Sequence, residues 1–286
     1  MAPMWSSRAA AEWLLATLAS PPLLSRLTGR VCDLRLPAAL RAPIIRAYAR
    51  AFGADLSEAA QPPESYASFN AFFTRALAPG LRPVSREPGI VVSPCDARVR
   101  SIGPIASDGR LEQVKGRTYP IEALLGSAED AAPLRGGVQA TLYLSPAMYH
   151  RVHSPVDGRV RAWRYLPGRL FPVNGPGLRS IPGLFTRNER VCLFCDTQAH
   201  GRVAVALVGA ANVGRLTLAF TDLVTNRGAA ARRVEPSAPV AVSRGDEIGV
   251  FNLGSTVVVL LADPSLVALA GPGELVRMGQ PLWRRS

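Results

Sequence analysis

The chain has 286 residues, 48% hydrophobic and 19% charged, an ordinary composition for a folded protein built as one large domain or as one domain with a small appendage. Its net charge of +12 is carried almost wholly by arginine, since Lys115 is the only lysine, and suits nucleic acid, an anionic membrane surface, an acidic substrate or merely a solvated basic face. Four cysteines are too few and too irregular for a disulfide framework, and no stretch approaches the roughly 18 uninterrupted apolar residues of a spanning helix.

Residues 4–55 read as helical. Trp13, Leu14 and Leu18 precede a break at Pro21-Pro22, and Glu12 interrupts what would otherwise resemble an export signal. The chain is therefore expected neither to cross a membrane nor to leave the cytoplasm. Leu40, Ile44, Tyr48 and Phe52 follow at four-residue spacing, with arginines off that line and Gly53 as a C-terminal stop. Such a face can lie in a lipid interface or dock on the rest of the protein. Ser68 is placed to cap a short helix that buries Phe69, Phe72 and Phe73, with Arg75 turned to a polar partner.

After residue 88 the period falls to two. Val138, Ala140, Leu142 and Leu144 alternate with other residues, as do Val191, Leu193 and Cys195, then Val203, Val205 and Leu207, then Leu216, Leu218 and Phe220. Glycine and proline punctuate these runs, and no long helical pattern intervenes, which predicts a mainly antiparallel β core. Cys192 and Cys195 form one Cys-x-x-Cys inside such a run, with no second pair and no nearby histidine; they read as core residues and no metal site is expected.

Three short stretches carry chemistry. Ser93-Pro94-Cys95-Asp96 sets a carboxylate in a turn. The run from Tyr149 to Gly158 holds His150 and His153, two of only three histidines in the chain. Gly254-Ser255-Thr256 stands directly before the apolar run 257–261. Glycine lets another group approach its backbone closely, and a hydroxyl just after it can attack the preceding carbonyl. Asp, His and Ser are also the ingredients of a nucleophile activated by an oriented base. A His-x-x-His metal site is the competing reading, but no further ligand is evident nearby. A plain turn entering a strand is the bland reading of Gly-Ser-Thr.

Taken as an ordered set, these stretches carry a resemblance. Residues 69–77 (FNAFFTRAL), Ser93-Pro94-Cys95-Asp96, residues 149–155 (YHRVHSP), Asn188-Glu189-Arg190-Val191, residues 208–214 (VGAANVG) and Leu253-Gly254-Ser255-Thr256 resemble, in order and spacing, the phosphatidylserine decarboxylases, in particular the longer bacterial, membrane-associated form. Two departures stand out: Ala97 replaces the usual glycine after the aspartate, and Arg244 precedes Gly245-Asp246 where lysine is commoner.

The resemblance implies an α+β fold, with a helical membrane-docking region over 1–60 and a β-rich catalytic domain over 61–286. It implies self-cleavage between Gly254 and Ser255 into a large chain 1–254 and a small chain 255–286 that stay together as a heterodimer, leaving room for a higher homo-oligomer. By similarity His153 is the base on Ser255 and Asp96 orients it. Ser255 becomes a covalent pyruvoyl group, the only cofactor, which holds phosphatidylserine as a Schiff base and serves as the electron sink that no side chain supplies. His150 is assigned to substrate binding or proton donation. The product is phosphatidylethanolamine, the partner an anionic membrane surface rather than nucleic acid, and the location peripheral, on the cytoplasmic side of the cell membrane. The alternative is a serine hydrolase using Asp96, His153 and Ser255 without cleavage, although no Gly-x-Ser-x-Gly elbow surrounds Ser255.

Overall fold

The computed structural model describes residues 22–114, 116–211, 215–252 and 256–286, with side chains from Ser25 onward. The helix expected around Trp13, Leu14 and Leu18 lies outside these residues, as do Lys115, residues 212–214 and the Gly254-Ser255 step. In chain order the strands are β1 (Ile90–Val92), β2 (Ala97–Pro104), β3 (Arg110–Val114), β4 (Arg117–Pro120), β5 (Val138–Tyr143), β6 (Arg151–His153), β7 (Gly158–Leu166), β8 (Arg190–Thr197), β9 (Gly201–Val208), β10 (Arg215–Leu218), β11 (Arg232–Val234), β12 (Val240–Val242), β13 (Glu247–Asn252), β14 (Thr256–Leu261), β15 (Leu266–Ala268), β16 (Leu275–Val276) and β17 (Pro281–Arg285).

These strands form an α+β fold in which every sheet is antiparallel. The main sheet has the order β11-β7-β8-β9-β14-β5-β2-β16, with β12 also paired to β7. Smaller sheets run β10-β13-β6 and β1-β17-β15, and β3 pairs with β4. The alternation seen in the sequence maps onto one face: Val138, Ala140, Leu142, Val191, Leu193, Cys195, Val203, Val205 and Leu207 all enter one core, with Leu216 and Leu218 facing them from the small sheet.

The opposite face is covered too. Cys192, Phe194, Ala204, Ala206, Val208, Val258 and Leu260 enter a second core beneath four short helices, α4 (Ile121–Leu125), α5 (Ala128–Ala131), α6 (Gly175–Ser180) and α7 (Leu184–Arg187). Strands 8, 9 and 14 are thus buried on both sides, which is why β14 reads as an unbroken apolar run rather than an alternating one. The strand pleat also separates the Cys-x-x-Cys pair. Cys192 and Cys195 point into opposite cores, and burial pushes their thiols up to about 11 and about 12, so both act as packing groups.

Three helices precede the sheets: α1 (Pro22–Asp33), α2 (Ala38–Phe52) and α3 (Phe69–Phe73). Gly53 ends α2 as expected, taking a φ of 76° while its N–H donates to the Ala49 carbonyl at 2.8 Å. Ser68 caps α3 by accepting from the Ala71 N–H at 3.1 Å. Arg75 departs from the expectation of a polar side-chain partner: it is buried over the Phe72 ring, 4.9 Å from its centroid, and its one bond is to the Ala147 carbonyl at 3.2 Å. Helix α2 buries Ala42, Ile45 and Ala49, and Ile45 forms a small cluster with Tyr66 and Phe72. Leu40, Ile44 and Phe52 remain exposed, while Tyr48 is half-buried and donates to the Pro146 carbonyl at 2.8 Å.

Because β14 feeds both cores, shortening one of its side chains leaves a void that its neighbours cannot close. Leu260→Ala should lower unfolding stability by about 2–5 kcal/mol, read from the urea midpoint.

Candidate active site

Two of the segments that join the small sheet to the main one run side by side in strand order. Residues 209–214 connect β9 to β10, and residues 253–255 connect β13 to β14. The strands at their ends are paired, Val208 with Thr256 and Arg215 with Asn252, so the two links span the same pair of ladders. The buried Asn188 side chain anchors the first link, its Nδ2 donating to the Phe171 and Gly209 carbonyls at 2.9 and 2.8 Å.

Strand β6 lies against β13, with His150 beside the end of β13 that leads to the second link and His153 beside its first residue. The Phe251 N–H donates to the His150 carbonyl at 3.0 Å, and His153 is in register with Glu247. The His153 N–H donates to the Pro94 carbonyl at 2.8 Å, which ties the carboxylate turn to the same strand.

The tautomer of His153 follows from its partners. Its Nδ1 lies 2.8 Å from the Gly245 carbonyl, and a carbonyl only accepts, so Nδ1 carries the proton. Nε2 is then the basic nitrogen, accepting from the Tyr149 hydroxyl at 3.1 Å. Burial lowers the pKa of His153, opposed by the Gly245 carbonyl and more weakly by the charges of Glu247 and Asp96. The ring is neutral at physiological pH and able to take a proton.

Gly245 is held for this task. Its φ is +87°, and a Cβ there would stand 2.6 Å from Val84 Cγ2. Its N–H donates to the Ser154 carbonyl at 2.9 Å, and Arg244 clamps the turn through Asp157, with its N–H and Nε both at 2.8 Å from the carboxylate. Arginine in place of the commoner lysine adds reach from one side chain, its Nη1 donating to the Glu87 and Ile90 carbonyls at 2.8 and 3.0 Å while Nε holds Asp157.

Asp96 sits in the same region with other partners. Arg82 donates to its carboxylate through Nε at 2.9 Å and Nη2 at 2.6 Å, and the Met278 N–H donates at 2.9 Å. Arg82 is shared with Glu58 at 2.7 Å. Among the described residues Asp96 and His153 are not hydrogen-bonded; Asp96 acts on the imidazole through its charge. Ala97 enters β2 in register with Val276, where a methyl group is accommodated in the core.

His150 is fully buried, with its ring 4.0 Å from that of Phe73. Neither ring nitrogen meets hydrogen-bond geometry with a partner among the described residues. Burial and the nearby Arg75 charge push it down to about 3, with the Met148 backbone pulling weakly the other way. An imidazole kept dry and uncommitted in a core costs stability, and such groups collect where chemistry uses them.

The reading of the residues alone singled out Asp96, His150 and His153 but gave Tyr149, Gly245 and Arg82 no role. Tyr149 is four residues from His153, in the same run. Gly245 is 92 residues away, and no local pattern marks it.

Fold and site together define an α+β domain in which two buried histidines on and beside β6 lie against β13, near the carboxylate turn at Asp96. The sequence profile described as phosphatidylserine decarboxylase matches residues 69–284. Phosphatidylserine decarboxylase proenzymes of Anaeromyxobacter sp. (strain K), Bordetella pertussis and Halorhodospira halophila are 44%, 45% and 45% identical to the chain, over 91%, 93% and 97% of it and 93%, 91% and 93% of their own lengths. The chain belongs to the phosphatidylserine decarboxylase family.

Because His150 is held neutral with its pKa near 3, the unfolded state takes up that proton first as pH falls below 6.5. Its contribution to stability is present above pH 6.5 and lost between there and about 3. Unfolding free energy of the wild type should fall by about 1.4 kcal/mol per pH unit from His150 in that window, and His150→Gln should flatten the slope.

Proposed function

We propose that this protein decarboxylates phosphatidylserine to phosphatidylethanolamine and carbon dioxide, after cutting its own backbone between Gly254 and Ser255. The observation that carries this reading is the pair of buried neutral imidazoles of His150 and His153 beside the strands that flank residues 253–255.

In the self-cleavage His153 is the base. Its Nε2 takes the proton of the Ser255 hydroxyl as Oγ attacks the Gly254 carbonyl, and the amide becomes an ester as the Ser255 nitrogen leaves and is protonated. Removal of the Ser255 α-proton then expels the Gly254 carboxylate and leaves dehydroalanine, which water converts to a pyruvoyl group with loss of ammonia. The Gly245 carbonyl keeps the proton on Nδ1, and the Tyr149 hydroxyl, which occupies the Nε2 lone pair at rest, gives way to the Ser255 hydroxyl. The charge of Asp96, fixed by Arg82 and the Met278 N–H, favours the imidazolium that forms.

The site suits a pyruvoyl group at residue 255, because His150 offers an uncommitted imidazole in a dry core beside Phe251, two residues before the link. When formed, that group supplies the electron sink for decarboxylation. His150 stands for substrate binding or proton donation beside the α-carbon, and Phe73 keeps its ring in place.

After cleavage β14 to β17 remain paired: β14 with β5 and β9, β16 with β2, and β17 with β1. This supports an associated large and small chain. The division into a helical region over 1–60 and a catalytic domain over 61–286 follows the same reading. Leu27 and Val31 on α1, Leu34 beyond it, and Leu40, Ile44 and Phe52 on α2 are exposed, which supports docking of the helices on the surface of an anionic bilayer at the cytoplasmic side. No helix among the described residues is long and apolar enough to cross a membrane.

Intact mass under denaturing conditions tests the cleavage. Wild type should give two chains, the smaller beginning with a pyruvoyl group, whereas Ser255→Ala and His153→Ala should stay full length. A single full-length chain in wild type with esterase activity would favour a serine hydrolase instead. Leu27→Asp with Val31→Asp should leave cleavage intact and reduce co-sedimentation with phosphatidylserine-containing vesicles at least tenfold; unchanged binding would remove the docking face.

A further inference from the structure

A cavity of about 450 Å³ lies between α1, the loop 225–227 and the ends of β10 and β13. Its walls carry four guanidinium groups, those of Arg26, Arg30, Arg215 and Arg227, against the single carboxylate of Asp33. Asp33 is taken up by Arg215, which binds it through both terminal nitrogens and also donates to the Asn252 side chain at 3.2 Å. Arg26 is held at the rim by the Asn226 backbone and side-chain oxygens at 3.0 and 3.2 Å. Arg30 and Arg227 have no ion pair or hydrogen bond to another side chain among the described residues. The cavity therefore holds three uncompensated positive charges, two of them uncommitted.

The loop bearing Arg227 is shaped at a cost. Asn226 has a φ of 59°, the only left-handed non-glycine among the described residues. It is pinned there by the buried Glu189, whose Oε1 accepts both the Asn226 N–H at 2.8 Å and the Tyr165 hydroxyl at 2.5 Å. A strained residue held by a buried carboxylate sets the position of the neighbouring arginine.

Helix α1 separates its faces. Ser25, Arg26, Gly29, Arg30 and Asp33 share the side that lines the cavity, while Leu27 and Val31 lie on another side, open to solvent. Arginines serving only a bilayer surface would flank the apolar face; Arg26 and Arg30 stand instead on the side that lines the cavity, exposed at its rim. Asn252 lines the same cavity, and at most roughly 10 Å of chain separates it from Ser255. In phosphatidylserine only two carbons and an oxygen stand between the reacting amine and the phosphorus.

We propose that this cavity binds the phosphodiester of the lipid substrate, with Arg30 and Arg227 as its anion contacts and Arg215 and Asn252 joining it to the reacting centre; this rests on the decarboxylase reading above. The guanidinium fork matches phosphate geometry, and each contact is charge-assisted.

The test uses the full processed enzyme and a short-chain phosphatidylserine dissolved as monomers, with no vesicles present. Arg30→Gln with Arg227→Gln should self-cleave normally, keep its kcat within about twofold and raise KM tenfold or more, as expected for losing charged hydrogen bonds. Arg30→Lys with Arg227→Lys should recover part of that loss. On wild type, sn-glycerol 3-phosphate should inhibit competitively while phosphate-free O-methylserine should not, an arm that stands even if the glutamine variant fails to fold. Unchanged KM on the monomeric lipid, with weaker vesicle sedimentation, would assign the arginines to the bilayer surface and overturn the proposal. Unchanged KM and unchanged sedimentation would overturn it as well. A wild type that cleaves itself yet decarboxylates no phosphatidylserine would sink the functional reading and this proposal together.

Discussion

The double ladder of β14 is the constraint on which the rest depends. All six of its residues are paired on one side with β5 and on the other with β9, and its side chains alternate between two cores. The preceding strand, β13, belongs to a different sheet, paired with β10 and β6. Three residues must join the two, and both ends of that join are held by paired neighbours. A central strand also resists fraying, since moving it would break two ladders and open two cores at once. Residues 253–255 thus connect a doubly paired strand of the main sheet to the middle strand of the small one.

Around that corner the dominant electrostatic force is desolvation. A chain of net charge +12 still keeps its two site histidines neutral, because both are buried and the neighbouring arginines, Arg75 and Arg151, favour the uncharged form. Directional bonds then give the rings different states. His153 is held at both nitrogens, so its tautomer is set, whereas His150 is packed against Phe73 and left uncommitted. Two imidazoles three residues apart thereby acquire different capacities without any difference in residue type.

Much of this was legible in the sequence. The period-two runs located the main strands, Gly53 and Ser68 marked helix ends, and the exposed line of Leu40, Ile44 and Phe52 was visible as a spacing. What was missed is instructive. The alternating runs suggested one buried face, yet Gln139 and Thr141 are buried as well, because short helices with no long-range pattern cover the second face. Asp96 was expected to orient His153; its hydrogen bonds go instead to Arg82 and the Met278 N–H, and a backbone carbonyl takes that place at Nδ1. A backbone atom has no residue type, so nothing in the sequence could have pointed to it.

The sequence by itself determined which residues can do chemistry and the order in which they occur. Periodicity and turn residues are local properties, written within a few positions. The tertiary structure alone decided what those residues touch: the Gly245 carbonyl set against an imidazole 92 residues away, and Arg26 and Asn226 meeting across 200 residues beside a charged cavity. Such contacts arise from packing two sheets and a helix together, where register, burial and the exclusion of water select the partner, and none of these acts along the chain.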